Sequence, residues 1–192
     1  SDALLPQGMY ALITRRNAAA NYQHTPCWLA DGQRRFSVNG DYNRLFNTLA
    51  FTGSDENKIL YEYLRSYQEM TDRLDAATDN WKEALDQPSF EAKVGFEVAL
   101  QQYQEGFFRS HPGTLTAKLV EQTLFLTPPA GQEQHDSWQQ EAAARFQWQK
   151  HHFFDRMNLA GGDFLRQPLW LDRTDFYVTK LPPPHPEIGR AS

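Results

Sequence analysis

The residues of this chain best suited to chemistry are two adjacent histidines and an aspartate near its C-terminal end. His151 and Asp155 are four residues apart, which places both side chains on one face of a helix. With a third ligand such as His135, they could hold one metal ion. Adjacent histidines also point to different faces, so His151 and His152 could instead be one packed and one solvated side chain. No other residues have the spacing of metal ligands, so we predict neither a bound metal nor a cofactor. If the chain did bind a metal ion, His151 and Asp155 would be the candidate ligands.

A single cysteine, Cys27, limits the redox chemistry of the chain. An internal disulfide and a Cys-x-x-Cys pair both need two thiols, so the chain cannot be a complete dithiol oxidoreductase. Cys27 lies beside Trp28 in an apolar segment, and free cysteine is among the most buried residue types. We therefore predict a buried structural cysteine and no catalytic residue.

The composition indicates a folded, acidic chain. Of its 192 residues, 40% are hydrophobic and 14% aromatic, which argues for a packed core and against disorder. The net charge of −5 argues against nucleic acid as a partner. No apolar run approaches the roughly 20 residues that a membrane-spanning helix needs, and no basic-then-apolar leader is present. We expect no transmembrane segment and no signal peptide in this chain.

Residues 1–53 have the pattern of short strands and turns. Four apolar runs are separated by turn residues, at 9–14, 26–30, 34–38 and 48–52. Asp31-Gly32 is typical of a β-hairpin, here between the second and third runs. Four short strands are too few to close a sandwich, so we predict a small antiparallel β unit, a partial sandwich, that ends a larger β domain. An unpaired edge of this unit predicts self-association through residues 8–53.

From residue 54 the hydrophobic period becomes helical, and we predict an α+β chain with a mainly helical domain over residues 54–182. Ser54 is a suitable N-cap, followed by acidic residues in the first turn. The predicted helices cover residues 54–74, 81–109 with an interruption near Pro88, and 136–157. A short helix that carries Leu115, Leu119 and Val120 is predicted to end before Pro128, and a last helix is predicted to begin at Pro168. Residues 183–192 continue a proline-rich stretch and are predicted to be a linker to a domain downstream.

The spacing of apolar residues predicts which face of each helix is buried. The predicted buried positions are Phe96, Leu100, Tyr103 and Phe107 in the second helix, Trp138, Ala142, Phe146, Phe153 and Met157 in the fourth, and Trp170, Tyr177 and Leu181 in the last. Trp148 and Phe154 lie off these stripes. Because large exposed aromatic residues are enriched at interfaces, Trp148 and Phe154 are the candidate interaction surface, and the alternative is that they pack against the β unit.

Three blocks of the sequence resemble a known family. The blocks are Leu5–Tyr10 with Phe51–Asn57, Ser110–Leu115 with Lys118-Leu119, and His151–Leu181. Together they resemble the region that precedes the thioredoxin domain in periplasmic thiol:disulfide interchange proteins of Gram-negative bacteria. In that family the thioredoxin domain supplies the Cys-x-x-Cys pair, so no catalytic residue of the family maps onto this chain.

The resemblance implies a non-catalytic N-terminal accessory region in the periplasm or cell envelope. Such a region would position a downstream thioredoxin domain, or a redox partner protein, in cell redox homeostasis. The alternative is a free-standing helical module that binds a protein or a small ligand. An enzyme that acts through the histidines ranks third, and the chain itself is expected not to be an enzyme.

Overall fold

Two small antiparallel sheets and a larger set of helices build the part of the chain that the structure describes. The computed structural model describes residues 5–15, 17, 22–129, 135–157 and 177. In chain order the elements are β1 (Gly8–Thr14), β2 (Gln23–Leu29), β3 (Ser37–Asn39), α1 (Leu45–Thr48), β4 (Ala50–Thr52), α2 (Asp55–Ala84), α3 (Gln87–Ser110), α4 (Leu115–Gln122) and α5 (Trp138–His152), with a 3-10 turn (Tyr42–Arg44) before α1. The predicted α+β class, with a mainly helical part after the strands, is confirmed.

The strands pair as β1 with β2 and as β3 with β4, both antiparallel. The predicted hairpin between the second and third apolar runs is therefore wrong. Asp31-Gly32 does form a turn, with Gly32 at φ +78°, but β2 and β3 are not neighbours. The physical reason is that side chains of α2 occupy the edge of β2 that β3 would have needed.

Helix α2 begins where the capping residues predict. The side chain of Ser54 accepts a hydrogen bond from the backbone N–H of Asn57, and Asp55 and Glu56 lie in the positive first turn. The helix ends at Leu85, which has a left-handed conformation with φ 49°. The predicted start of the second helix at Trp81 is wrong, because Trp81 lies in the last turn of α2.

Helix α3 begins at Gln87, where Asp86 is the N-cap and Pro88 lies in the first turn. The expected interruption near Pro88 is thus the boundary between α2 and α3. Leu100 and Phe107 are buried as predicted, but Phe96 is 38% exposed, so its assignment to the core is wrong. Glu97 and Gln104 are buried instead, at 3% and 0%, because α3 contacts α2, α4 and α5 and its buried surface is wider than one apolar stripe.

Helix α5 is shorter than predicted, and residues 153–156 continue as turns. Of the apolar stripe predicted for this segment only Ala142 is fully buried, whereas Trp138, Phe146, Phe153 and Met157 are half-buried. The phenyl ring of Phe90 packs on Trp138, and Glu97 bonds Arg145 across the same 48-residue separation. The later residue of α3 thus contacts the later residue of α5, so the two helices run parallel.

Three buried clusters hold these elements together. The first joins the β1–β2 sheet and β4 to α2 and α4, and its buried members are Cys27, Trp28, Leu49, Phe51, Leu60, Tyr61 and Leu119. The second lies among α2, α3 and α4 around Tyr63. The third lies at the other end of α2, where Trp81, Phe90 and Ala142 meet. The long α2 therefore connects the β region to α5.

Several predicted features lie outside the described residues. They are the last helix from Pro168, the burial of Trp170 and Leu181, and the proline-rich linker at 183–192. Tyr177 is described and is helical. Within the described ranges, no helix combines the length and the apolar character needed to cross a membrane.

Candidate functional site

The histidine cluster at the end of α5 has a different geometry from the one that the spacing predicts. Asp155 contacts His152, with 2.5 Å between Oδ2 and Nδ1, and His151 is exposed to solvent. The His152 ring also stacks on Trp148, with the ring centroids 4.3 Å apart. Among the described residues, no group of three or more His, Cys, Asp or Glu side chains has the arrangement of a metal site.

Phe153 and Phe154 form, with Tyr177, a small cluster that we call the C-terminal aromatic cluster. The Phe153 and Phe154 rings meet edge to face at 4.9 Å. Tyr177 packs on both, at centroid distances of 5.3 Å and 4.9 Å. Phe154 and Trp148 are thus half-buried, and each contacts a neighbouring ring. The cluster places the Tyr177 ring against the end of α5.

Cys27 is confirmed as a buried residue, with 1% of its surface exposed. It lies in β2 opposite Tyr10 of β1, in the core beneath the sheet. Burial raises the pKa of the Cys27 thiol, and a backbone hydrogen bond from Leu12 opposes this only in part. Because the thiolate is the nucleophile in exchange reactions, a covered thiol with a raised pKa is poorly reactive.

Next to Cys27, a buried polar junction joins β2 to two helices. The side-chain amide of Asn57 accepts a hydrogen bond from the Trp28 N–H at 2.7 Å and donates one to the Trp28 carbonyl at 2.9 Å. The indole N–H of Trp28 donates to the Thr116 hydroxyl on α4, at 3.0 Å. Trp28, Asn57 and Thr116 are all at most 2% exposed, so this junction is shielded from water.

The N-terminus of α4 is held by the same part of α2. The backbone N–H of Leu115 donates to both carboxylate oxygens of Glu56, at 3.1 Å and 3.0 Å, and Thr114 caps Ala117. A carboxylate at a helix N-terminus also interacts favourably with the helix dipole. The loop before α4 therefore has a fixed position relative to α2.

A second buried polar group lies between α3 and α5. The Glu97 carboxylate contacts Lys93 on its own helix and Arg145 of α5, the latter at 3.1 Å. The Lys93 ammonium lies 5.3 Å from the centre of the Trp81 ring, so cation–π attraction adds to the ion pair. Three buried donors, one on Trp81 and two on α5, have no partner among the described residues: Trp81 Nε1, Arg145 Nε and Gln149 Nε2. The group orients α5 on α3.

Sequence reasoning missed Asn57 and Glu97. Asn57 is three residues after the N-cap Ser54, where a capping side chain is expected, and this position was the available signal. Glu97 forms an i, i+4 pair with Lys93, which on sequence alone is indistinguishable from a solvated helix pair. Neither pattern shows that the partner is Trp28 in one case and Arg145 in the other.

Comparison with known proteins finds no family model, no curated protein and no solved structure that matches this chain. The chemistry available to it is therefore judged from its own geometry. The described residues place a covered thiol in the core beside the Asn57–Trp28 junction, and a separate buried polar group joins α3 to α5.

Proposed function

We propose that this chain is a non-catalytic accessory region of a thioredoxin-family thiol:disulfide interchange protein of the periplasm or cell envelope. In this role it positions a thioredoxin domain, or that domain's partner protein. The proposal begins from the resemblance of three sequence blocks to the region before the thioredoxin domain. Two observations from the described residues support it.

The observation that carries the proposal is the C-terminal aromatic cluster. Tyr177 packs on both Phe153 and Phe154, and five residues later the chain enters Pro182-Pro183-Pro184. A proline-rich segment is extended and semi-rigid, at about 3.1 Å per residue. A stiff spacer that starts from a packed aromatic anchor would restrict where a following domain can lie. A flexible segment at the same place would leave the following domain free to take many positions.

The second supporting observation is the environment of Cys27. The thiol is buried and its pKa is raised by that burial, so Cys27 fits a structural role. The proposal accordingly assigns thiol chemistry to a separate Cys-x-x-Cys pair and assigns positioning to this chain.

The proposal can be tested in the parent protein that includes the thioredoxin domain. Phe154→Ala removes one wall of the aromatic anchor, so we expect KM for a disulfide-bonded protein substrate to rise several-fold. Reduction of a small disulfide reagent should be unchanged, since it needs only the redox domain. Phe96→Ala is the matched control because Phe96 is exposed on α3. If Phe154→Ala left KM for the protein substrate unchanged, the aromatic anchor would have no positioning role.

A free-standing binding module is the second candidate function, and one observation favours it. The outer edge of β1 has no strand beside it among the described residues, and an open edge is a common site for binding an extended peptide. This function needs no downstream domain, which separates it from the first.

A further inference from the structure

The two outer edges of the β1–β2 sheet differ in what covers their backbone polar groups. On the β2 side, Pro26 has no N–H to offer, and its carbonyl accepts a hydrogen bond from the Tyr61 hydroxyl at 3.1 Å. The N–H and carbonyl of Trp28 are both bound by Asn57. At Pro26 and Trp28 the β2 edge is therefore closed by side chains of α2, whereas no described strand lies along the outer edge of β1.

The pairing register identifies which backbone groups the β1 edge presents. Trp28 uses both its backbone groups on Asn57, so its pair with Met9 is a non-hydrogen-bonded pair of the ladder. Because antiparallel pairs alternate, the same holds for Ala11 with Pro26 and for Ile13 with His24. The N–H and carbonyl groups of Met9, Ala11 and Ile13 thus point away from β2, into the open edge.

We propose that this edge pairs with β1 of a second copy of the chain, antiparallel, about a two-fold axis at Ala11. Ala11 then faces the partner's Ala11, and Met9 faces the partner's Ile13. All three pairs are of the hydrogen-bonded kind, which gives about six new backbone hydrogen bonds. The product is one continuous four-stranded sheet in the order β2, β1, β1 of the partner, β2 of the partner.

The side chains support a second copy as the occupant. In the proposed register Ile13, which is 59% exposed, lies beside the partner's Met9, and such apolar cross-strand pairs stabilise sheets. Charged residues and proline usually protect an edge strand from pairing, and β1 contains neither. Beyond the strand, Gln7 faces the partner's Arg15, so no like charges are opposed. An isologous contact of this kind closes on itself as a dimer.

The other strands are poor alternatives for this pairing. β3 and β4 have three residues each, and short edge strands are weak templates. β1 has seven residues and its outward groups lie on one continuous edge. The inference concerns assembly of the chain with itself and does not depend on the proposed redox context.

Sedimentation velocity over a wide range of protein concentration tests the pairing. We expect the mass of the wild-type chain to double from monomer to dimer as concentration rises. Ala11→Lys places two ammonium groups opposite each other at the axis, so it should remain monomeric. Ala50→Lys is the matched control, because Ala50 is an exposed alanine in β4, and it should dimerise like the wild type.

A second variant keeps the test independent of misfolding. Ala11→Pro removes an N–H that points outward, opposite Pro26, and so spares the β1–β2 ladder. It should keep the wild-type circular dichroism and lose the dimer. In the wild type, amide exchange at Met9, Ala11 and Ile13 should slow as the dimer forms. A wild-type chain that stays monomeric, or a dimer that survives both Ala11 variants, would overturn the proposal.

Discussion

The side-chain amide of Asn57 binds both backbone polar groups of Trp28, at 2.7 Å to its N–H and 2.9 Å to its carbonyl. This is the hydrogen-bond pattern that a neighbouring strand would provide. At Trp28 a single residue of α2 thus makes the contacts of a third strand and fixes the sheet to the helical part. The contact between Asn57 and Trp28 also explains why β3 pairs with β4 and not with β2.

Asn57→Ala should destabilise the chain by about 2–4 kcal/mol, because two buried backbone groups of Trp28 lose their partners. The measurement is urea unfolding followed by tryptophan fluorescence. Asn47→Ala is the matched control, since Asn47 is exposed, and it should change the free energy of unfolding by less than about 0.5 kcal/mol. Equal effects of the two substitutions would mean that the Asn57 amide is not structurally important.

Glu97→Ala should cost about 3 kcal/mol or more, because it leaves Lys93 and Arg145 largely buried without their carboxylate. The side chains of Lys93 and Arg145 are only 16% and 13% exposed. Glu69→Ala breaks a solvated pair with Arg73 and should cost at most about 0.5 kcal/mol. Thermal unfolding of the two variants should differ clearly. A small effect at Glu97 would show that water replaces the carboxylate there.

Alkaline pH should destabilise the protein partly through Tyr63. Burial raises the pKa of Tyr63, with nearby Tyr67 adding to the rise and a hydrogen bond from Gln104 opposing it. Below the unfolded-state value of about 10, both states are protonated and the stability is fully present. Above that pH the unfolded chain loses the proton first, so stability falls as pH rises.

Tyr63→Phe should therefore reduce the loss of stability between about pH 9 and pH 11. It should also cost about 1 kcal/mol at neutral pH, because the Gln104 amide loses an acceptor at 2.9 Å. Urea unfolding at a series of pH values measures both effects. An unchanged alkaline limb in Tyr63→Phe would contradict the assignment.

Cys27 should be slow to react with a thiol reagent in the native protein and fast after unfolding in urea. The reason is its burial, which excludes the reagent and raises the thiol pKa.

The chain alone should show no disulfide reductase turnover in an insulin-reduction assay, since a dithiol mechanism needs a second, resolving thiol. Turnover that persisted in Cys27→Ser would show that other residues carry a reaction.

Local signals in the sequence predicted the parts of the fold that depend on local interactions. Ser54, with two acidic residues after it, marks the start of α2, and Pro88 marks the boundary before α3. The burial of Cys27 followed from its residue type and its apolar neighbours. In each case the deciding interaction lies within a few residues along the chain.

Long-range pairing could not be predicted in the same way. The Asn57 amide meets Trp28 across 29 residues, and Glu97 meets Arg145 across 48. Periodicity assigned Phe96 to the core because it counts one apolar stripe, whereas α3 buries polar residues against three helices. At the end of α5, spacing suggested His151 as the neighbour of Asp155, but the turn after α5 brings His152 to it.

The proposed role of this chain, as an accessory region of a thiol:disulfide interchange protein, is tested most directly by the nucleotide sequence beyond the Ser192 codon. We expect the reading frame to continue into a domain that carries a Cys-x-x-Cys pair after a strand. A stop codon at that position, or a following domain without the pair, would contradict the role. The free-standing binding module would then be the better explanation.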